Sequence, residues 1–148
     1  VYKRQTLARL MQLYLHDLSE FSGEEATDDG RFEYGYLSRY WSEPERHPYL
    51  IRVDGHVAGF ALVREETPGV HQMAEFFVMR KYRRRGVGAF AARALFAEFK
   101  GVWHVAQEEP NKAAQVFWRG LIDEFTDGAF EETRSREPVG PMQVFTVH

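Results

Sequence analysis

Apolar side chains first recur at helical spacing: Leu7, Leu10, Met11, Tyr14, Leu15, Leu18 and Phe21 fall on one face, with Thr6 as N-cap candidate and Gly23 just beyond the end. Phe32, Tyr34, Tyr36, Leu37, Tyr40 and Trp41 then form an aromatic segment that reads as a short second helix ending before Pro44. Residues 49–53 and 57–63 are strand candidates joined by Asp54-Gly55, a two-residue hairpin signal. The second is apolar on both faces, which predicts a central strand. Thr67-Pro68-Gly69 turns the chain into a third antiparallel strand over residues 70–79.

Helical spacing returns at Val87, Phe90, Ala91, Ala94 and Leu95, stops at Lys100-Gly101, and gives way to a strand over residues 102–106. A strand, a right-handed helical crossover and a second strand lie parallel in one sheet. Asn111 is a good N-cap for a last helix with Ala114, Phe117, Trp118, Leu121, Ile122 and Phe125 on one face, ended by Thr126-Asp127-Gly128. Residues 129–135 and 142–147 alternate as a closing hairpin around residues 137–141. The fold class is α/β (α+β): a mixed, mostly antiparallel central sheet flanked by helices, in a single domain over residues 1–148.

Composition narrows the function. Hydrophobic content of 44% and aromatic content of 15% fit an ordered core, and a formal charge of −3 argues against nucleic acid as a partner. The absence of cysteine excludes disulfides, thiolate zinc sites and a cysteine nucleophile. The six histidines show no metal-ligand spacing, so no metal is expected, and His71, near a strand start, reads as a surface residue. No apolar run approaches the roughly 20 residues that span a bilayer, and no signal-peptide pattern is present. The expectation is a soluble, cytoplasmic protein with no membrane partner. The start at Val1 rather than Met, almost directly in a helix, suggests upstream residues, a first strand among them.

Charge is uneven. Residues 80–85 carry five of the nineteen basic residues, in the turn that leads through Arg83-Arg84-Arg85-Gly86-Val87-Gly88 into the second long helix. The first amides of a helix have no partner within it and carry partial positive charge, so this turn suits a phosphate. The alternative is a tight turn with a solvated basic face. Upstream, Glu24 to Gly30 form an acidic loop, read as a solvated connection or as a face toward a cationic substrate. The aromatic segment reads as packing, with one or two side chains at a substrate site.

Val78-Met79-Arg80-Lys81-Tyr82-Arg83-Arg84-Arg85-Gly86-Val87-Gly88 resembles the acyl-CoA signature of the GNAT superfamily of N-acetyltransferases, and Asn111, Ala114, Phe117 and Trp118 resemble its second motif. The resemblance covers nearly the whole chain and lacks only a clear first strand. It implies an enzyme, an acyltransferase that moves the acetyl group of acetyl-CoA to a primary amine of a small molecule or protein. Backbone groups of Phe77, Val78 and Met79 would pair with the pantetheine arm. The amides of Arg83, Arg84, Arg85, Gly86, Val87, Gly88 and Ala89 would hold the pyrophosphate, with Asn111 and Phe117 beside the cofactor. The Val78 N–H would serve the oxyanion.

Glu75, the one ionisable residue in the otherwise apolar run over residues 73–79, is expected on the same face as Met73, Phe77 and Met79. Burial raises a carboxyl pKa and would make it a better base near neutral pH, the role a Glu at this place often has in the family. Structural pairing with an arginine, or a splayed β-bulge position facing solvent, stands as the alternative. Trp118 departs from the pattern, because many relatives carry Tyr there as general acid and an indole N–H cannot act as one. Tyr82 is expected to pack, and Arg80 stands where many relatives have Pro. A non-catalytic acyl-CoA-binding or sensor module of the same fold is the rival reading. A monomer, or a homodimer through the closing hairpin at Val144, Phe145 and Val147, is expected.

Overall fold

The computed structural model describes residues 2–148. Its centre is β2 (His56–Thr67), in which every residue from Ala58 to Val63 is buried. A run without polar alternation needs cover on both faces. One face meets α1 (Tyr2–Ser22) through Leu7, Leu10, Met11 and Leu15 against Phe60, Leu62 and Phe77. The other meets α2 (Val87–Glu98) and α3 (Lys112–Thr126), where Ala92, Leu95, Phe96, Trp118, Leu121 and Ile122 pack on Ala61, Val63 and Trp103. The result is three layers with two cores.

The other strands are β1 (Arg46–Val53), β3 (Val70–Val78), β4 (Gly101–Ala106), β5 (Glu131–Arg136) and β6 (Val139–Val147), and the sheet order is β1-β2-β3-β4-β6-β5. All neighbours are antiparallel except β3 and β4, the parallel pair expected from the helical crossover. Asp54 and Gly55 both take positive φ, 49° and 80°, as the tight hairpin requires. No helix among the described residues is long and apolar enough to cross a membrane.

Several local expectations change. Thr6 is not a cap: its hydroxyl bonds back to the Tyr2 carbonyl inside α1, a common alternative for a hydroxyl side chain. The aromatic segment contracts to a 3₁₀ helix, Leu37–Trp41, with Tyr40 in the α1-side core. Aromatic side chains lose χ1 freedom in an α-helix, and here they pack on the sheet instead. His71 is buried at 5% exposure, because its register opposite Trp103 sets it beneath the α2–β4 connection, where Nε2 lies 2.9 Å from the Lys100 carbonyl.

The closing hairpin is tighter than expected, with Arg136 already opposite Val139. Its extension is held by the segment after β4: Gln107 N–H donates to Pro141 O and Glu109 N–H to Val139 O, both at 3.0 Å. Gly140 permits this approach, since a Cβ there would stand 2.0 Å from the Gln107 carbonyl oxygen.

One irregularity shapes the site. Leu62 pairs with Glu75 but Val63 with Met73, so Ala74 is the extra residue of a β-bulge. Across the bulge the alternation resets: Met73 enters the core under α2 and α3, while Phe77 enters the core under α1. The expected common face of Met73, Glu75 and Phe77 therefore does not exist. Glu75 shares its side with Phe77 and faces α1.

Phe96 is fully buried, its ring 4.9 Å from Trp103, 5.0 Å from Phe145 and 5.2 Å from Phe125. Phe96→Ala should lower the stability of the fold by about 3–5 kcal/mol, read as a shifted urea midpoint.

Candidate active site

Strands β3 and β4 pair only through Val70, His71 and Gln72, opposite Val102, Trp103 and His104. Beyond Gln72 the bulge turns β3 away and the two strands part. The gap is a cleft of about 170 Å³, walled by Glu75 and Phe76 on one strand, Glu108 and Asn111 after the other, Tyr14 from α1 and Trp118 from α3. Helical spacing places Tyr14 one turn beyond Leu10 and Met11, with its ring 5.5 Å from Phe60 and 5.8 Å from Phe77. Tyr14 and Glu75 both line the cleft, and the Glu75 charge acts on the Tyr14 hydroxyl.

Glu75 keeps a small exposed area at the mouth of the cleft, but its carboxyl lies among protein atoms. Burial pushes it from 4.5 up to about 7; the Tyr14 hydroxyl pulls it partly back and the nearby Glu108 charge adds to the rise. Tyr14 is raised well above the ordinary phenol range, first by burial and then by Glu75. Tyr34 and Tyr40 are raised by burial too, and both feel the Glu75 charge. Glu75 has no ion pair with an arginine among the described residues, and it faces the cleft rather than open solvent. The bulge named as an alternative is present, one residue earlier, and is what aims Glu75.

Met79 N–H donates to Ala58 O at 2.8 Å, so the Met79 amide is spent on β2. Successive amides of an extended strand point to opposite sides, which turns the Val78 N–H toward the gap. The Val78 carbonyl accepts from Arg83 Nε at 2.7 Å, and the same guanidinium reaches Asp17 of α1 at 2.8 Å. Arg80 also binds Asp17, at 3.3 Å. Two arginines of the basic turn are thus tied to α1, while Arg84 and Arg85 extend into solvent. Tyr82 packs in the core, as expected.

Gly86 stands at the N-cap of α2 with φ 77° and no side chain caps the helix, leaving its first amides open. A Cβ on Gly88 would sit 3.2 Å from the Phe117 ring and 3.5 Å from Phe76. That glycine therefore makes room for the Phe117 ring as well as keeping the turn bare. Phe117 stacks on Phe76 at 6.3 Å and Trp118 meets Phe76 edge-on at 5.0 Å. Asn111 Oδ1 accepts from Ala114 N–H at 3.2 Å, capping α3 and leaving its NH₂ to the cleft.

Tyr14, Leu18 and Glu108 are among the cleft residues to which the sequence pattern gives no site role. Tyr14 looked like one more apolar-face position of a helix, and Leu18 beside it likewise. Glu108 was indistinguishable from Glu109 by sequence. Only the fold separates them: Glu109 is exposed and bound to Arg134 at 2.6 Å, while Glu108 turns into the cleft. The acidic loop is partly self-neutralised, since Asp29 binds Arg31 at 2.7 Å.

The same architecture recurs in solved structures. An acetyltransferase from Thermus thermophilus superposes with a TM-score of 0.66 at 14% identity, over 95% of this chain and 90% of that one. Ard1 from Thermoplasma volcanium gives 0.65 at 16%, over 99% and 93%. A GNAT family acetyltransferase from Elizabethkingia anophelis, solved with acetyl-CoA bound, gives 0.58 at 10%, over 78% and 83%. No curated protein matches the sequence. The family profile described as acetyltransferase (GNAT) matches residues 7–121, most of the chain, and with the parted strands and the bare helix N-terminus in place the protein belongs to the GNAT acetyltransferase family.

Proposed function

We propose that the protein transfers the acetyl group of acetyl-CoA to a primary amine, with Glu75 as general base. The observation that carries this reading is the position of a carboxyl poised near neutral pH at the gap between β3 and β4, beside the inward-facing Val78 amide. Membership of the family and the acetyl-CoA in a relative's structure support the donor.

The residues divide the work. The Val78 N–H and the open edge of β3 suit an amide-bearing arm docking as an added strand. The first amides of α2, with Arg84 and Arg85 nearby, suit the pyrophosphate. Glu75 takes the proton of the acceptor ammonium, directly or through one water, and frees the lone pair. As the nitrogen bonds to the thioester carbon, the Val78 N–H stabilises the oxyanion. The carbon–sulfur bond then breaks, the new amide nitrogen gives up its second proton to solvent, and CoA departs as a thiolate that takes a proton from solvent, because Phe117 and Trp118 have no acidic proton to give.

Trp118 also favours a second reading, a CoA-binding module without turnover. Acetyl-CoA would raise the melting temperature under both readings, and thiol release with an amine panel would occur only under the first.

Glu75→Gln should cut kcat by roughly 10²- to 10³-fold and remove the rise of kcat/KM through about pH 7. An unchanged pH–rate profile would rule Glu75 out as base. The raised pKa also has a sign in stability. The folded state holds the Glu75 proton more tightly than the unfolded chain between pH 4.5 and about 7, so stability falls as pH rises through that window and is level above it. The loss is on the order of 3 kcal/mol at most, and Glu75→Gln should flatten it in urea melts run across that range.

Arg84→Glu with Arg85→Glu should weaken acetyl-CoA binding by about tenfold or more, by calorimetry, because two favourable charges become unfavourable. Both side chains are exposed, so the melting temperature of the free protein should hardly move.

A further inference from the structure

The cleft has two carboxyls, and the acetyl-transfer reading gives work to Glu75 and none to Glu108. Its Oε2 is shut off from solvent and has no hydrogen-bond partner. Buried carboxylate oxygens are costly to leave unpaired. The basic residues around it are engaged elsewhere: Arg134 and Lys112 with Glu109, at 2.6 and 3.8 Å, and Arg119 with Glu132 at 2.7 Å. No Lys, Arg or His lines the cleft among the described residues. Two carboxyls, Glu75 and Glu108, thus share one small space with no cation of the protein's own.

Two further observations sharpen the mismatch. The Glu108 carboxyl is raised by burial and then by Glu24, an exposed residue of the acidic loop, so a third negative group stands near the same wall. The rest of the lining is apolar or neutral, including Phe76, Trp118, Tyr14 and Pro138, which suits a short hydrocarbon chain between charged ends.

We propose that the acceptor is a diamine or longer polyamine, whose second ammonium is bound by Glu108, with Glu24 contributing at the mouth, while its first nitrogen stands at Glu75. This rests on the acetyl-transfer reading for the identity of the nitrogen at Glu75. The chemistry separates the two carboxylates by task. Glu75 must remove a proton so that its nitrogen can attack. Glu108 must keep its nitrogen protonated, because a charged ammonium is what repairs the unpaired oxygen. A monoamine satisfies the first and leaves the second bare.

Binding and turnover test this separately, with putrescine as the doubly charged probe and butylamine as its singly charged counterpart. Calorimetric titration into the protein saturated with CoA should show putrescine binding at least tenfold more tightly than butylamine, the size of one well-placed partly buried charge pair. Glu108→Gln, nearly isosteric, should bring the ratio of the two affinities toward one, and Glu24→Gln should lower it by about twofold, as fits an exposed partner. Thiol release from acetyl-CoA should show the same preference in KM rather than kcat, whereas Glu75→Gln lowers kcat for both amines.

Tight putrescine binding that depends on Glu108 but releases no thiol would support the diamine site and overturn the transfer reading. Thiol release from both amines with equal KM, or a preference that Glu108→Gln leaves intact, would overturn the diamine site and spare the transfer reading. Neither binding nor turnover with either amine would overturn the diamine site and leave the transfer reading to the wider amine panel.

Discussion

The site depends on one backbone insertion, the extra residue Ala74 in β3. Were Ala74 a regular ladder position instead of a bulge, Glu75 would lie on the side of Met73. With the bulge, the alternation of side chains resets, and past it the parallel pairing ends after Gln72 and the edge of β3 is left open. The bulge therefore decides which face the carboxyl takes and whether an extended ligand can dock beside it. Both helical layers then close around the gap, α1 bringing Tyr14 and α3 bringing Trp118.

Around that gap the protein leaves carboxyls without a cationic partner. Several of its surface carboxylates have one: Glu132 with Arg119, Glu109 with Arg134, Asp17 with two arginines. Inside the cleft the carboxyls of Glu75 and Glu108 are raised above their ordinary range, and the Tyr14 hydroxyl beside them is held neutral. Unrelieved groups of one sign, gathered in one concave place, are expected where a ligand supplies the missing charge.

Much of this was legible from residue order. The apolar run of β2, the Asp54-Gly55 hairpin and the crossover between β3 and β4 follow from local patterns, because each is decided by neighbours a few residues apart. The basic turn and the Asn111 cap were readable for the same reason. The bulge was named only as an alternative, and its place was not readable, since an added residue in a strand leaves no mark beyond a disturbed alternation and Ala74 is apolar like Met73 before it. Glu108 and Tyr14 were invisible as site residues because their role comes from contacts across the fold. His71 was misread because burial beneath a connection depends on strand register, which hydrophobicity near a strand start does not report.

Asp17 has a consequence of a mechanical kind. One carboxylate on α1 holds Arg80 and Arg83, and Arg83 in turn grips the Val78 carbonyl at the end of β3. The helix that carries Tyr14, the strand that carries Glu75 and the turn beneath α2 are thereby clamped at a single point. What joins these three elements there is charge rather than packing, at side chains open to solvent, so that junction, unlike the two cores, is screened by salt.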